Sequence, residues 1–360
     1  MPSSPGDSGC ASARRRGSTT LTRGAQSDAS LITKIGWAVE PGKRSGLTRP
    51  ERLVSEMETL DVVASEALRL AHGRGTSGRA AWLPGSALAA DLSTAILSPV
   101  FLPGLQGTPA WIDLYDDWAL APDIHPFYRL LAARGYARAR SGGLDGALIT
   151  VNTPYMRDRL WPAQAVVVPN GVDEVLGGLE RTGSPVPRLV CLGHFFPGRT
   201  DFRLLRDMAL RPEFEEVVIC GPGDSNEIRT TLEDLRTQIG ARLRIIDWAD
   251  GHELAAIAGE RSVALVPHRV CDYTVSQDLM KAYQLLALGM KVLCPRLLWP
   301  ASLDQDFVYL LDHGARLDDT LGEWIDSPSP TDEWRQSFAS TNSWRQRAVA
   351  IQRLLRGGRP

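Results

Sequence analysis

An α/β protein built on a doubly wound parallel sheet is what the second half of this 360-residue sequence predicts, on three observations. Short apolar runs recur at regular intervals: Leu189-Val190-Cys191-Leu192, Val217-Val218-Ile219-Cys220, Val263-Ala264-Leu265-Val266 and Val292-Leu293-Cys294. Amphipathic segments of helical length separate them. Each run closes on a glycine or a proline. Continuous apolar strands alternating with helices mark βαβ units and a sheet covered on both faces.

Taken in order, the elements of this half are a strand over 188–193, a helix over 201–210, a strand over 216–221 and a helix over 226–239. A strand over 243–246, a helix over 252–258 and a strand over 263–267 follow. A short apolar helix carrying Lys281 and a strand ending at Pro295 complete the series. In such a sheet, ligands bind beyond the carboxyl ends of the strands. Those ends hold Gly193-His194, Gly221, Asp247-Trp248, His268-Arg269 and Pro295.

The first half is less regular. Thr48-Arg49-Pro50-Glu51 reads as a capping box with proline in the first turn. Leu53, Met57, Leu60, Ala64 and Ala67 then keep helical spacing, which predicts one helix through residue 67. Strands are expected over 110–115, 147–151 and 165–168. Before residue 80 the only strand candidate is 30–39. The loop Gly42-Lys43-Arg44-Ser45-Gly46 is not a P-loop, because Arg44 follows Gly-Lys where Ser or Thr is needed.

The Gly- and Pro-bearing stretch 177–187 is the best domain boundary. The expected division is a disordered tail over 1–30, a first domain over 31–180, a second over 187–325 and a C-terminal helix over 331–360. That helix carries Trp334, Phe338, Trp344, Ala348, Ile351 and Leu355 on one face and is expected to pack back on the first domain. Arg345, Arg347, Arg353 and Arg356 flank it and leave peripheral membrane contact open.

Composition narrows the function classes. A net charge of −2 argues against general nucleic-acid binding, which needs a basic surface. No apolar run nears the ~20 residues of a membrane span. The Arg14-Arg15-Arg16 cluster lacks the apolar block of a signal peptide. The five cysteines have no paired spacing and fall largely within apolar runs. They read as core residues of a reduced, cytoplasmic protein, not as a disulfide frame or zinc site.

Several pieces together resemble glycosyltransferases of the GT-B fold, in which two Rossmann-like domains face each other across a cleft. Thr150-Val151-Asn152-Thr153 and Val167-Val168-Pro169-Asn170-Gly171-Val172-Asp173 resemble the passage between the domains. Val190 through Asp201, Ile219-Cys220-Gly221-Pro222-Gly223 and Lys281 through Leu293 resemble the part that holds a nucleotide-sugar. The likeness covers about residues 110 to 300. Many retaining members carry two glutamates eight positions apart, where this sequence has Ser276 and Gln284. Met280-Lys281 followed by Gln284 is nearer to the xanthan-type glucuronosyltransferases, in which such a helix contacts a UDP-sugar.

The resemblance implies transfer of a sugar from a nucleoside-diphosphate donor, UDP-linked and with glucuronate as one option, to an acceptor hydroxyl. The acceptor classes are a glycan, a lipid-linked sugar or a small molecule, the last-but-one placing the protein at the inner membrane face. No cofactor is expected. No metal is expected either, since no Asp-x-Asp motif marks the second half and fixed cations can carry the charge. Inverting chemistry follows weakly from the absent glutamate pair. A non-catalytic nucleotide-sugar-binding or partner-binding protein of the same fold is the alternative, and a sugar-nucleotide epimerase a third.

Individual residues follow from this frame. Lys281 and Arg199 are candidates for the donor diphosphate, with a solvated helix lysine as the plain alternative for the first. Gln284 lies one turn beyond Lys281, within reach of the same ligand. Met280 faces either the donor or the core. Asp247 is a candidate for ribose or base, or else a helix cap. Gly193, His194 and Tyr273 complete the donor set. Asp113, Asp116 and Asp117 follow a first-domain strand, and an inverting transfer needs a base for the acceptor hydroxyl. Asp117 is the first candidate and Asp116 the second, each also explicable as a cap or ion-pair member.

Overall fold

The computed structural model describes residues 31–37, 48–72, 79–82, 87–182, 185–223, 225–312 and 320–357. The expected tail over 1–30, the loop over 42–46 and the end of the 30–39 strand lie outside them.

Two parallel sheets form the frame. The first contains β1 (Ile32–Trp37), β2 (Val63–His72), β3 (Arg79–Trp82), β5 (Thr94–Ile96), β7 (Trp111–Leu114), β8 (Leu148–Val151) and β9 (Ala165–Val167). Its order is β3-β2-β1-β5-β7-β8-β9. A separate pair, β4 (Leu88–Ala89) and β6 (Leu105–Gln106), lies beside it. The second sheet contains β10 (Arg188–Leu192), β11 (Glu216–Cys220), β12 (Leu243–Ile246), β13 (Ser262–Leu265), β14 (Lys291–Pro295) and β15 (Val308–Leu311), in the order β12-β11-β10-β13-β14-β15. In both sheets the chain winds outward from the first strand in one direction and then returns to wind in the other. The crevice where it reverses is the usual ligand site of a doubly wound sheet. In the second sheet that crevice lies between the ends of β10 and β13.

The second-sheet elements fall where the apolar runs place them, because strands buried on both faces carry their own signal. Leu189, Val190, Cys191, Val217, Val218, Ile219, Val263, Ala264, Val292 and Leu293 are all fully buried. At the opposite, amino ends, Arg188 and Glu216 are register partners and ion-pair at 2.6 Å, away from the crevice.

Two corrections arise outside that sheet. The first helix stops at Thr59, and Ala64 and Ala67 belong to β2. Asp61 takes a left-handed φ of 54°, which ends the helix, and the β-branched Val62-Val63 pair turns inward as a strand. The capping box itself is present, with Glu51 accepting from both the N–H and the hydroxyl of Thr48.

The predicted C-terminal helix is two helices, Asp332–Thr341 and Trp344–Leu355, separated at Asn342. Ser343 caps the second one through Gln346 N–H. They serve different domains. Trp334 and Phe338 pack on the second-sheet core, and Arg335 is bonded to the carbonyls of Ala287, Leu176 and Leu179. Trp344, Ala348 and Ile351 pack with Ile35, Leu53 and Met57 on the first sheet. The two crossings between domains run side by side: Val172 N–H donates to Asn342 O at 3.0 Å and Trp344 N–H to Val172 O at 3.1 Å. A side chain at Gly171 would meet the Trp344 backbone at 2.8–2.9 Å, so only glycine fits there.

Among the described residues no helix is long and apolar enough to cross a membrane.

Candidate functional site

At the end of β10 the chain turns at Gly193, whose φ of +98° favours glycine. A Cβ here would land on Lys281 Cε and Nζ. The lysine therefore lies directly over the first strand turn of the crevice. It is placed there by the Met280–Ala287 helix, whose first position follows Leu279 without a side-chain cap. Gly221 (φ +67°), at the end of β11, stands close to Gly193 and to the Asp247 carbonyl, so the ends of β10, β11 and β12 meet. Asp247 is exposed and does not cap the next helix; Asp250 does, through Glu253 N–H at 2.9 Å. Beside it the Trp248 ring is 42% exposed, although no sequence argument had singled it out for a role.

On the other side of the crevice, at the end of β13, stands His268. Its imidazole is held well below its ordinary pKa by burial, then by the positive charges of Lys281 and Arg199, so the ring is neutral near pH 7. Its Nδ1 is buried without a hydrogen-bond partner. Arg199 lies over the Phe196 ring at 3.8 Å and the Tyr273 ring at 5.6 Å. Its Nε stands 3.0 Å from Asp123 Oδ2 of the first domain, an ion pair by distance. The alignment is too poor for a hydrogen bond, and the buried N–H is left without an acceptor. Lys281, His268 and Arg199 thus come from three elements; His268 Nδ1 is buried without a partner, and Arg199 is ion-paired with Asp123 across the cleft.

The remaining donor candidates sort by position. His194 is exposed, its ring 4.4 Å from Phe196 and against Gly223. Tyr273 is buried, its hydroxyl 3.5 Å from Gln277 Nε2. Gln284 is partly buried, and its amide makes no hydrogen bond within the described residues. Met280 packs into the apolar cluster of Ile32, Leu53 and Trp344, which is the core alternative and not a ligand contact.

The facing wall is carried by β7, β8 and the loop after β7. Asp113, fully buried, is gripped by the Arg49 fork at 2.8 and 2.9 Å and by Thr150 Oγ1 at 2.6 Å. Asp117 is also fully buried: Arg159 Nε donates to Oδ2 at 2.9 Å and Ala119 N–H to Oδ1 at 3.1 Å. Asp116 is the one of the three that is partly exposed. It adopts a left-handed φ of 56°, rare for a non-glycine residue, and its carboxylate accepts from Asn152 Nδ2 at 2.8 Å and Gln277 Nε2 at 2.9 Å. Asp116 is thus partly exposed and shared with the second domain through Gln277, whereas Asp117 is committed to the ion pair with Arg159.

Behind the site, at the domain crossing, Asp278 is buried at 5% exposure. Burial raises its pKa to about 6, against the lowering effects of the Asn170 N–H bond, Arg49 and the Tyr283 hydroxyl.

Two cavities lie away from the crevice. One is about 450 Å³ and lined by Glu174, Leu179 and Gln336; the other, about 200 Å³, is lined by Ser302, Trp334 and Asn342. Neither contains a residue of the crevice, which the opposing wall covers.

No family model and no curated protein matches this sequence. Solved structures do. AviGT4, a glycosyltransferase involved in avilamycin A biosynthesis, superposes with a TM-score of 0.51 over 91% of this chain and 99% of its own, at 12% identity. A protein assigned as UDP-N-acetylglucosamine 2-epimerase from Listeria monocytogenes gives 0.47 over 91% and 98%, at 10% identity, too low to carry weight. The fold is GT-B: two Rossmann-like domains facing each other across a cleft.

Proposed function

We propose that the protein is a glycosyltransferase that moves a sugar from a nucleoside-diphosphate donor to an acceptor hydroxyl. The observation that carries this reading is that Lys281, which lies over Gly193, and Arg199 both act on the neutral His268 at the switch point of the second sheet. A diphosphate leaving group gains negative charge as the glycosidic bond breaks, and fixed donors in a water-poor crevice stabilise it. Lys281 supplies a point charge, Arg199 a fork that a diphosphate would share with Asp123, and His268 an unmet ring nitrogen. In this reading the two cations do the work of a divalent metal. The exposed Trp248 face, beside Asp247, is suited to stacking a nucleobase.

Asp116 is the general base. It is a partly exposed carboxylate at the cleft that accepts from Asn152 and Gln277, and it takes the acceptor proton as the hydroxyl attacks the anomeric carbon on the face opposite the leaving group, with inversion. Asp117 holds Arg159 and the turn in place. UDP is the proposed nucleotide, and Lys281 with Gln284 one turn beyond it supports a UDP-hexose or UDP-glucuronate donor.

Calorimetry with UDP, GDP, TDP, UDP-glucose and UDP-glucuronate tests the donor site. One nucleotide should bind selectively, and Lys281→Ala should weaken it by about 10- to 100-fold, the range of one lost charge-assisted contact. Absence of binding by all five would sink the assignment.

A further inference from the structure

The loop entering the Lys281 helix is held by the opposite domain at three successive residues. Ser276 is fully buried; its hydroxyl accepts from Asp117 N–H at 2.8 Å, and its carbonyl accepts from Thr153 Oγ1 at 3.2 Å. Gln277 Nε2 donates to Asp116 Oδ2 at 2.9 Å. Asp278 accepts the Asn170 N–H through its carboxylate, and its carbonyl takes Asn170 Nδ2 at 2.6 Å. The segment is stiff on its own side as well. Ser276 Oγ donates to Tyr273 O at 2.6 Å, and the Tyr283 hydroxyl sits 3.0 and 3.1 Å from the Asp278 oxygens. Lys281 follows in the first turn of the same helix.

Asp116 depends on this grip. Its left-handed backbone is a costly conformation that persists only when the surroundings over-determine it. Asn152 holds its N–H at 3.2 Å, and the Tyr136 hydroxyl holds its carbonyl at 2.9 Å, both from within the first domain. Gln277 reaches its carboxylate from the second domain. The other half of the Gln277 amide, Oε1, is buried without a donor. A contact that leaves one of its own atoms unmet gains little net stability, so a small rotation of the domains releases it cheaply.

We propose that Ser276-Gln277-Asp278 is the clamp that holds the cleft shut and that Gln277 is a positioning residue for Asp116. Ligand occupancy at Lys281 and the orientation of Asp116 are then coupled through one rigid segment. The coupling rests on the donor-site reading above; the clamp does not, since its contacts exist without a ligand. It also gives a physical role to Ser276, where related enzymes carry a glutamate.

The test is the distance between spin labels at exposed Leu130 and Leu297, one in each domain, in the full chain with Cys10 and Cys271 replaced by serine. Without ligand, the parent should show a distribution dominated by a short distance, with a minor longer population. Ser276→Ala and Gln277→Ala should each lose much of the short population. Gln277→Glu sets a carboxylate against Asp116. It should open the cleft at pH 8 and restore the short distance at pH 5, where a shared proton turns repulsion into a hydrogen bond. The ionisable groups around that contact are Asp116, Asp117, Asp278, Tyr136 and Tyr273, with Arg49 and Arg159 as cations; all are common to the parent, which provides the pH control. Unchanged distances in all three variants, with melting curves like the parent's, would overturn the clamp. UDP should then narrow the distribution in the parent but not in Gln277→Ala. If UDP binds and closes both alike, the coupling is wrong; if no nucleotide binds, the donor reading fails while the ligand-free distances still decide the clamp.

Discussion

The two walls of the cleft share one strand order but treat their polar groups in opposite ways. On the second-domain wall, His268 Nδ1 and Gln277 Oε1 are buried and unmet, and Arg199 Nε faces Asp123 at 3.0 Å without a hydrogen bond. On the first-domain wall, Asp113 and Asp117 are as deeply buried, yet each carboxylate is matched by an arginine and further donors. A buried polar group without a partner costs free energy, so a wall that keeps several is one whose partners arrive from outside. A wall whose charges are neutralised internally holds a shape. On the proposed function, recognition belongs to the second-domain wall and positioning to the first, with Asp116 the exception on the first-domain wall.

Breaking the positioning wall should have the largest effect. Arg49→Met removes the cation from fully buried Asp113 and also its bonds to Asn170 and the Val168 carbonyl. Leaving a buried charge uncompensated costs about 3–5 kcal/mol, enough to be read as a large fall in denaturant midpoint. A loss below about 1 kcal/mol would show that the pair is not structural.

Asp116→Asn and Asp117→Asn sharpen the exception. If Asp116 is the base, its amide variant should lose about 10²- to 10⁴-fold in turnover with nucleotide affinity and melting temperature preserved. Asp117→Asn should instead lower the melting temperature, because it weakens the Arg159 pair. The reverse pattern would restore the order that sequence alone suggests.

The smallest effect concerns Asp278, where the domains join. With its pKa raised to about 6 in the fold, the native state holds a proton between about pH 4 and 6 that the unfolded chain has released. The native state then binds more protons than the unfolded state, and this group's contribution to stability falls as pH rises through that window. Asp278→Asn removes the titration. The melting temperature of the variant minus that of wild type should become more positive from pH 4 to pH 7. A difference independent of pH would mean that the carboxylate is already ionised in the fold at pH 4.

Much of this was legible along the chain. The second sheet could be read strand by strand, because a strand buried on both faces must be apolar throughout. Gly193 and Lys281 could be paired by their places in the βα series before any contact was visible. The first domain resisted. Ala64 and Ala67 keep helical spacing after Met57, and nothing in the pattern of small residues separates a helix from a strand; the left-handed Asp61 does so only in three dimensions. The break between the two C-terminal helices did carry a local sign, the Asn342-Ser343 pair ahead of Trp344, which a longer apolar stripe overrode.

The sequence by itself determined the fold class, the strand ends that form the crevice, and the lysine and arginine offered to it. Each of these is set by periodicity and by neighbours within one βα unit. Tertiary structure alone decided that Asp117 is buried in an ion pair while Asp116 stays partly exposed beside Gln277, and that Ser276, Gln277 and Asp278 reach the other domain. Those outcomes depend on residues more than 100 positions apart meeting across an interface. Hydrogen bonds of that kind leave no periodicity behind, so only the packed domains reveal them.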